Sequence, residues 1–211
     1  RPDSKTMTDP KEIVREGYDK LSSDYRTHFA ASHEASYEPW LNSFVQYLKA
    51  DNKILELGCG DGLPVARLLS QRYRYLGVDI SPAQVALARA NVPEGTFEVA
   101  DMTKLSFQTG EFVGIVALYS LIHVPIEQQP ALIEAMHNWL QAGGCVFAIV
   151  GAKAWTGIEK DWIVAGTTMY WSHADSNTYI KWFSSAGFTI EETKYIPEGD
   201  SGHTLIIARK T

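Results

Sequence analysis

The chain has 211 residues, 45% of them hydrophobic and 21% charged, with a net charge of −6. That suits one domain with a full core, and the acidic balance without any Lys/Arg run argues against nucleic acid or an anionic membrane as partner. No stretch offers the ~18 unbroken apolar residues of a membrane helix, and Cys59 and Cys145, each beside a glycine, give neither a disulfide framework nor a zinc spacing.

The opening "RPDSKTMTDPKE" lacks the apolar core of a signal peptide and reads as a flexible lead, so a reducing, cytoplasmic setting is expected. Residues 12–29 then read as a helix, and residues 34–48 as a second, amphipathic one. Short apolar runs follow at 53–57, 75–79, 96–100, 112–118 and 145–151. They are rich in β-branched and aromatic residues and read as buried strands. Helical patterns separate them at 63–72, 81–92 and 125–140. Ser81 followed by Pro82 is a good helix start, and Gly143 with Gly144 punctuates the last of these helices. This alternation predicts a parallel sheet with helices on both faces. The end differs: a helix over 175–186 leads into strands at 188–196 and 203–210, joined by a short Gly/Asp turn, hence an antiparallel hairpin.

Gly58, Gly60 and Gly62 crowd into the turn after the first strand. Ligands of such sheets bind beyond the carboxyl ends of the strands, and bare backbone there lets one approach closely. A phosphate-binding dinucleotide loop would want glycine where Leu63 stands. Glu56, at the strand end, sits badly beside a pyrophosphate and well beside an ammonium group or a bound water. Asp79, at the end of the second strand, can accept both hydroxyls of a ribose. Asp101, at the end of the third, can accept from an adenine amino group, with the Met102 amide donating to a ring nitrogen. Adenine, ribose and a cationic amino-acid tail together describe S-adenosylmethionine (SAM).

These pieces, "ILELGCGDG", "GVDIS", "ADMTKL" and "FVGIVALYSLIHVP", resemble the class I SAM-dependent methyltransferases in order and spacing. The resemblance spans residues 53–211. It implies a Rossmann-like α/β fold, with a seven-stranded, mostly parallel sheet of order 3-2-1-4-5-7-6 and helices on both faces. It also implies that residues 1–50 form a lead and a helical lid over a SAM-binding core at 51–211, within one structural domain. The cofactor-binding residues so implied are Tyr18, Tyr25, Glu56, Gly58, Cys59, Gly60, Asp79, Ile80, Asp101, Met102 and Tyr119. The two lid tyrosines contact SAM or substrate, or else pack the lid on the core.

The acceptor is expected to be a small molecule. The stretch "ALYSLIHVP", at 117–125, lacks the Asn/Asp-Pro-Pro-Tyr/Phe signature of DNA amino-methyltransferases, the magnesium-binding carboxylates of catechol-type enzymes and the paired glutamates of arginine methyltransferases. No metal is expected. Residues 151–175 form an unusually aromatic connection. Trp155, Trp162, Met169, Tyr170, Trp171 and His173 there are candidate acceptor-binding residues, together with His28; the same aromatics could instead belong to an auxiliary helix packed as core. SAM is already activated, so a base is needed only for a protonated acceptor. His123, just past strand four, is the first candidate, or else a structural histidine tying the loop down; His28 and His173 are further candidates, and His33, His137 and His203 are read as structural. The expected activity is transfer of the SAM methyl to an O, N or S atom, leaving S-adenosylhomocysteine (SAH), by a monomer or homodimer. The alternatives are a SAM-binding protein of the same fold with non-methylating chemistry, such as pericyclic ring closure, and a SAM-sensing partner subunit.

Overall fold

The computed structural model describes residues 8–48 and 52–211, with the side chains of 29–36 left aside. Two helices, α1 (Pro10–Leu21) and α2 (Asp24–Val45), precede the sheet. The alternating part runs β1 (Lys53–Leu57), α3 (Val65–Ser70), β2 (Arg74–Asp79), α4 (Pro82–Asn91), β3 (Thr96–Val99), β4 (Phe112–Leu118), α5 (Gln129–Trp139) and β5 (Leu140–Gly151). Then come β6 (Trp155–Lys160), β7 (Thr168–His173), α6 (Ser176–Ser185), β8 (Phe188–Glu198) and β9 (Ser201–Lys210).

The main sheet has seven strands in the order β3-β2-β1-β4-β5-β9-β8. The first five are parallel, and β9 runs antiparallel to both β5 and β8. With the extra pair β6–β7 set aside, this is the expected order. All seven residues of β4 are buried, as a strand covered on both faces requires. One face packs on α5 and α6 through Leu132, Ile133, Met136, Tyr179 and Phe183. The other packs on α4 through Val85 and Ala88, and on the end of α2 through Leu41 and Phe44. Phe44 is fully buried, its ring 5.6 Å from that of Phe147. Burial of this size contributes about 2–3 kcal/mol and holds the N-terminal segment to the core. The α4 start is as read: Ser81 Oγ accepts from the Gln84 amide at 3.1 Å, with Pro82 in the first turn.

Several expectations need correction, among them two element bounds: β5 already starts at Leu140, so Gly143 and Gly144 lie within it, and the second helix starts at Asp24 and not at residue 34. The first helix does not run through residue 29; it ends at Leu21, because Ser22 turns into the left-handed region at φ 45°. His28 therefore lies within α2, on an exposed position. The connection at 151–175 is neither an open loop nor an auxiliary helix. It forms a separate antiparallel pair, β6–β7, in register from Trp155↔His173 to Lys160↔Thr168. Helix α1 lies against β7, and Gly17 makes that approach possible: a Cβ there would stand 2.7 Å from the Thr168 carbonyl. Lastly, α5 starts at Gln129, since Pro125 opens a short 3₁₀ turn, Ile126–Gln128, before it.

Candidate active site

The turn after β1 is shaped by close packing. Gly58 has φ +79°, and a Cβ there would lie 2.3 Å from Ser120 Cβ, so no side chain fits. Asp79, at the end of β2, accepts from the Gly60 amide and the Ser81 amide, each at 2.9 Å. One carboxylate thus fixes the glycine turn and the entry to α4. Burial raises its pKa, against the pull of those amides. Asp79 lines a narrow cleft of about 80 Å³ with Gly58, Gly60, Ile80 and Met102, beneath Tyr18 and Tyr25 of the N-terminal helices. Asp101 borders the adjoining space with Lys11. Its carboxylate accepts from the Thr103 amide at 2.9 Å, the Thr103 hydroxyl at 2.8 Å and Lys11 Nζ at 2.9 Å. Partial burial would raise its pKa, but Lys11 and Thr103 hold it below the ordinary range. From α2, Arg26 bonds both oxygens of Asp61 and the Leu63 carbonyl, clamping the glycine turn from above.

A larger cavity of about 250 Å³ adjoins the cleft. Its aromatic walls are Tyr18, Tyr25, Tyr37, Tyr119, Trp162 and Trp171, and its polar groups come from Arg26, His123, Glu198 and His203. Tyr18, Tyr25, Tyr119 and His123 line both spaces. The rings interlock edge to face: Trp162 and Trp171 meet at 5.2 Å and 90°, Tyr18 and Trp162 at 5.8 Å and 84°. His123 lies in a 3₁₀ turn after β4, its ring 4.5 Å from that of Trp171. Its Nδ1 is 2.8 Å from the Tyr170 carbonyl, which can only accept, so Nδ1 carries the proton. Nε2 is then an acceptor, and the Tyr18 hydroxyl donates to it at 2.9 Å. Burial lowers the His123 pKa to about 4, only partly offset by the bond to Tyr170. The imidazole is neutral at physiological pH, not poised near it as expected.

The opposite wall is built at the hairpin. Tyr119 has φ +55°, a strained conformation for a bulky residue at a strand end. Its hydroxyl donates to Glu198 Oε1 at 2.8 Å, and Glu198 Oε2 is 3.0 Å from His203 Nδ1. The Tyr119 and His203 rings meet edge to face at 4.9 Å. Among the described residues, no group of three or more His, Cys, Asp or Glu side chains is placed to hold a metal, and no helix is long and apolar enough to cross a membrane.

Residues 54–144 match a family model described as a methyltransferase domain. An uncharacterized methyltransferase of Synechocystis sp. is 32% identical over 98 residues, covering 46% of this chain and 46% of that protein. The chain spans about half the length of the first curated relatives it matches. Magnesium protoporphyrin IX methyltransferase from Synechocystis PCC 6803, solved with bound SAM, superposes with a TM-score of 0.75 at 18% identity, over 99% of this chain and 100% of that one. The 1,6-didemethyltoxoflavin-N1-methyltransferase of Burkholderia thailandensis, solved with 1,6-didemethyltoxoflavin and SAH, gives 0.71 at 19%, over 100% and 94%. Residues 54–144 thus match a methyltransferase domain, and the chain has the class I Rossmann-like fold of SAM-dependent methyltransferases.

On this fold the expected site residues fall into two groups. Tyr18, Tyr25, Gly58, Gly60, Asp79, Ile80, Met102 and Tyr119 line the cleft, with Asp101 at its border; His123, Trp162 and Trp171 line the larger cavity. The others lie elsewhere. Glu56 is buried and takes a short hydrogen bond from the Tyr75 hydroxyl; burial raises its pKa to about 8, so it stays protonated rather than facing an ammonium group. The Cys59 side chain is packed into the core, where a Cβ on Gly77 would touch it. Met169 is fully buried beneath Gly17, and Trp155 is 48% exposed. Tyr170 contributes its carbonyl to His123, and His173 Nδ1 bonds the Lys153 carbonyl at 2.5 Å. Neither they nor the exposed His28 line the two spaces. Arg26, Tyr37, Glu198 and His203 do line the cavity and were not anticipated. One signal was available for the last two: β9 returns antiparallel to β5, so its first residues lie at the carboxyl edge of the sheet, where ligands bind.

Proposed function

We propose that this protein transfers the methyl group of SAM to an O, N or S atom of a small molecule held in the aromatic cavity. The observation that carries this reading is the junction: Tyr18, Tyr25, Tyr119 and His123 line both the glycine-turn cleft and the larger cavity. The cleft fits SAM by its donor set. Asp79 would hold the ribose, Asp101 and the Met102 amide the adenine, and the bare backbone at Gly58 and Gly60 the amino-acid tail. When bound, SAM supplies a methyl group on a positively charged sulfur.

The chain's own part is alignment and exclusion of water. Arg26 and Lys11 tie the N-terminal helices to the glycine turn and to Asp101, which covers the cleft. Tyr18, Trp162 and Trp171 make an apolar wall suited to a flat acceptor, and their faces also suit a positively charged sulfur or amine. His123, neutral and bonded at both nitrogens, positions Tyr18 at the junction. The testing experiment is transfer of label from methyl-labelled SAM to a panel of phenols, amines and thiols. Methylated product supports the reading. Tight SAM binding with no transfer to any acceptor favours the non-methylating or sensing alternatives.

A further inference from the structure

Resting on that methyl-transfer reading, we propose that His203, oriented by Glu198, takes the proton from the acceptor, and that the acceptor's nucleophile is a weakly acidic O–H or heteroaromatic N–H. Both residues stand at the hairpin tip, on either side of the two-residue turn Gly199–Asp200 that joins β8 to β9. His203 is in register with Gly151, the last residue of β5, which places it at the carboxyl edge of the sheet. Both side chains line the larger cavity.

The hydrogen bonds set the chemistry. Glu198 accepts from the Tyr119 hydroxyl on one oxygen and faces His203 Nδ1 on the other. A carboxylate on Nδ1 selects the tautomer with the proton there and leaves Nε2 as the basic nitrogen. Tyr119 links this pair to the junction, since it lines both spaces and its ring meets that of His203. The pair is not sealed: the His203 and Glu198 side chains are 21% and 27% exposed, so a captured proton can leave to solvent. His123 differs on each count, being buried, with Nε2 already accepting from Tyr18.

The step balances. The acceptor's O–H or N–H bond breaks and its proton goes to His203 Nε2, while the freed electron pair forms the bond to the methyl carbon. The carbon–sulfur bond breaks with its electron pair returning to sulfur, which leaves neutral SAH. The imidazolium then releases the proton to water. The titratable and charged groups around His203 are Glu198 on β8, Tyr119 after β4, Arg26 and Tyr37 on α2, His123, and His173 at the end of β7.

The test uses 4-nitrophenol as the probe, because it absorbs in the visible only when ionised. It is titrated into the SAH-saturated protein at about pH 6, where free 4-nitrophenol is mostly un-ionised. The wild type should raise the ionised fraction of the bound probe, H203N should abolish that rise, and E198Q should reduce it, while W155A, outside the cavity, leaves it in place. No binding of the probe, an equal rise in H203N, or loss of the rise in W155A overturns the proposal. Calorimetry with SAH separates the two readings. Absence of SAH binding defeats methyl transfer itself, whereas SAH binding without nitrophenolate defeats only the base assignment. For any acceptor that is turned over, H203N should lower kcat roughly 10²–10⁴-fold.

Discussion

The Tyr18 hydroxyl donates to His123 Nε2 across 2.9 Å, joining α1 to the turn that follows β4. The bond closes the junction between the two spaces, and it needs a neutral imidazole. Folded His123 has a pKa of about 4, against the ordinary 6.5 that applies in the unfolded chain. Between these values the unfolded state binds the extra proton, so this stability is present above about pH 6.5 and is lost as pH falls toward 4. The loss should be on the order of 3 kcal/mol. His123→Gln should be less stable at neutral pH but flatter over that interval. Urea titrations of both proteins from pH 4 to about 8 measure the difference, and parallel curves would show that His123 is not neutral in the fold.

Asp79 has a structural duty as well as its proposed one. Asp79→Ala strips acceptors from two loop amides, Gly60 and Ser81, and should cost about 1–3 kcal/mol of stability. It should also weaken SAM binding roughly 30–1,000-fold, through loss of charge-assisted bonds to the ribose. Calorimetry on the folded mutant decides. Normal SAM affinity would remove Asp79 from the cofactor site.

Glu56 titrates in the opposite sense to His123. Its folded pKa is raised to about 8 from the ordinary 4.5. The unfolded chain gives up the proton first, so this stability is present below about pH 4.5 and is lost as pH rises toward 8. Glu56→Gln removes that loss and can still accept a hydrogen bond from Tyr75. The mutant should gain on the wild type by a few kcal/mol, on the order of 3, between pH 5 and about 8. A constant difference across that range would mean that the carboxyl is ionised in the fold.

The parts of this site legible in the sequence are those governed by strand ends. The parallel strands β1 and β2, buried on both faces, read as apolar runs, so Gly58 and Asp79 at their ends could be placed at one sheet edge, and Asp101 followed from the same order of elements. What escaped depends on which way a side chain turns or on long-range register. Glu56 follows the same logic as Asp79, yet it is drawn away by the Tyr75 hydroxyl of the neighbouring strand. In β6 five of six residues are exposed, so no apolar run marked it as a strand. Glu198 and His203 reach the cavity because β9 pairs with β5 in one register, His203 opposite Gly151, and no local pattern specifies that pairing.

Lys11 reaches from α1 to Asp101 as a partly buried ion pair, each side chain 15% exposed. Lys11→Met keeps most of the stem's packing and removes the charge. It should speed SAM release and reduce hydrogen-exchange protection in α1, with the main sheet unaffected. Unchanged α1 protection would mean that Gly17 packed on β7 and the Tyr18–His123 bond hold the helix without the ion pair.

The three tryptophans of the β6–β7 segment should separate cleanly. Trp162 and Trp171 wall the cavity, and Trp171 is anchored both by its Nε1 donating to Glu159 at 3.1 Å and by its contact with His123. Trp155 sits on the same segment, but 48% exposed and outside the cavity. Losing one aromatic wall removes contact worth about 1.5–3 kcal/mol, so Trp162→Ala or Trp171→Ala should raise the acceptor's KM roughly 10–100-fold. Their kcat should change far less, because they supply surface and not a proton path. Trp155→Ala should stay within about 0.5 kcal/mol in stability and leave KM alone. The comparison needs only one acceptor that is turned over, whichever phenol, amine or thiol that proves to be. If Trp155→Ala raises KM as much as Trp171→Ala does, the acceptor binds along the outer face of the hairpin and the aromatic cavity is not its site.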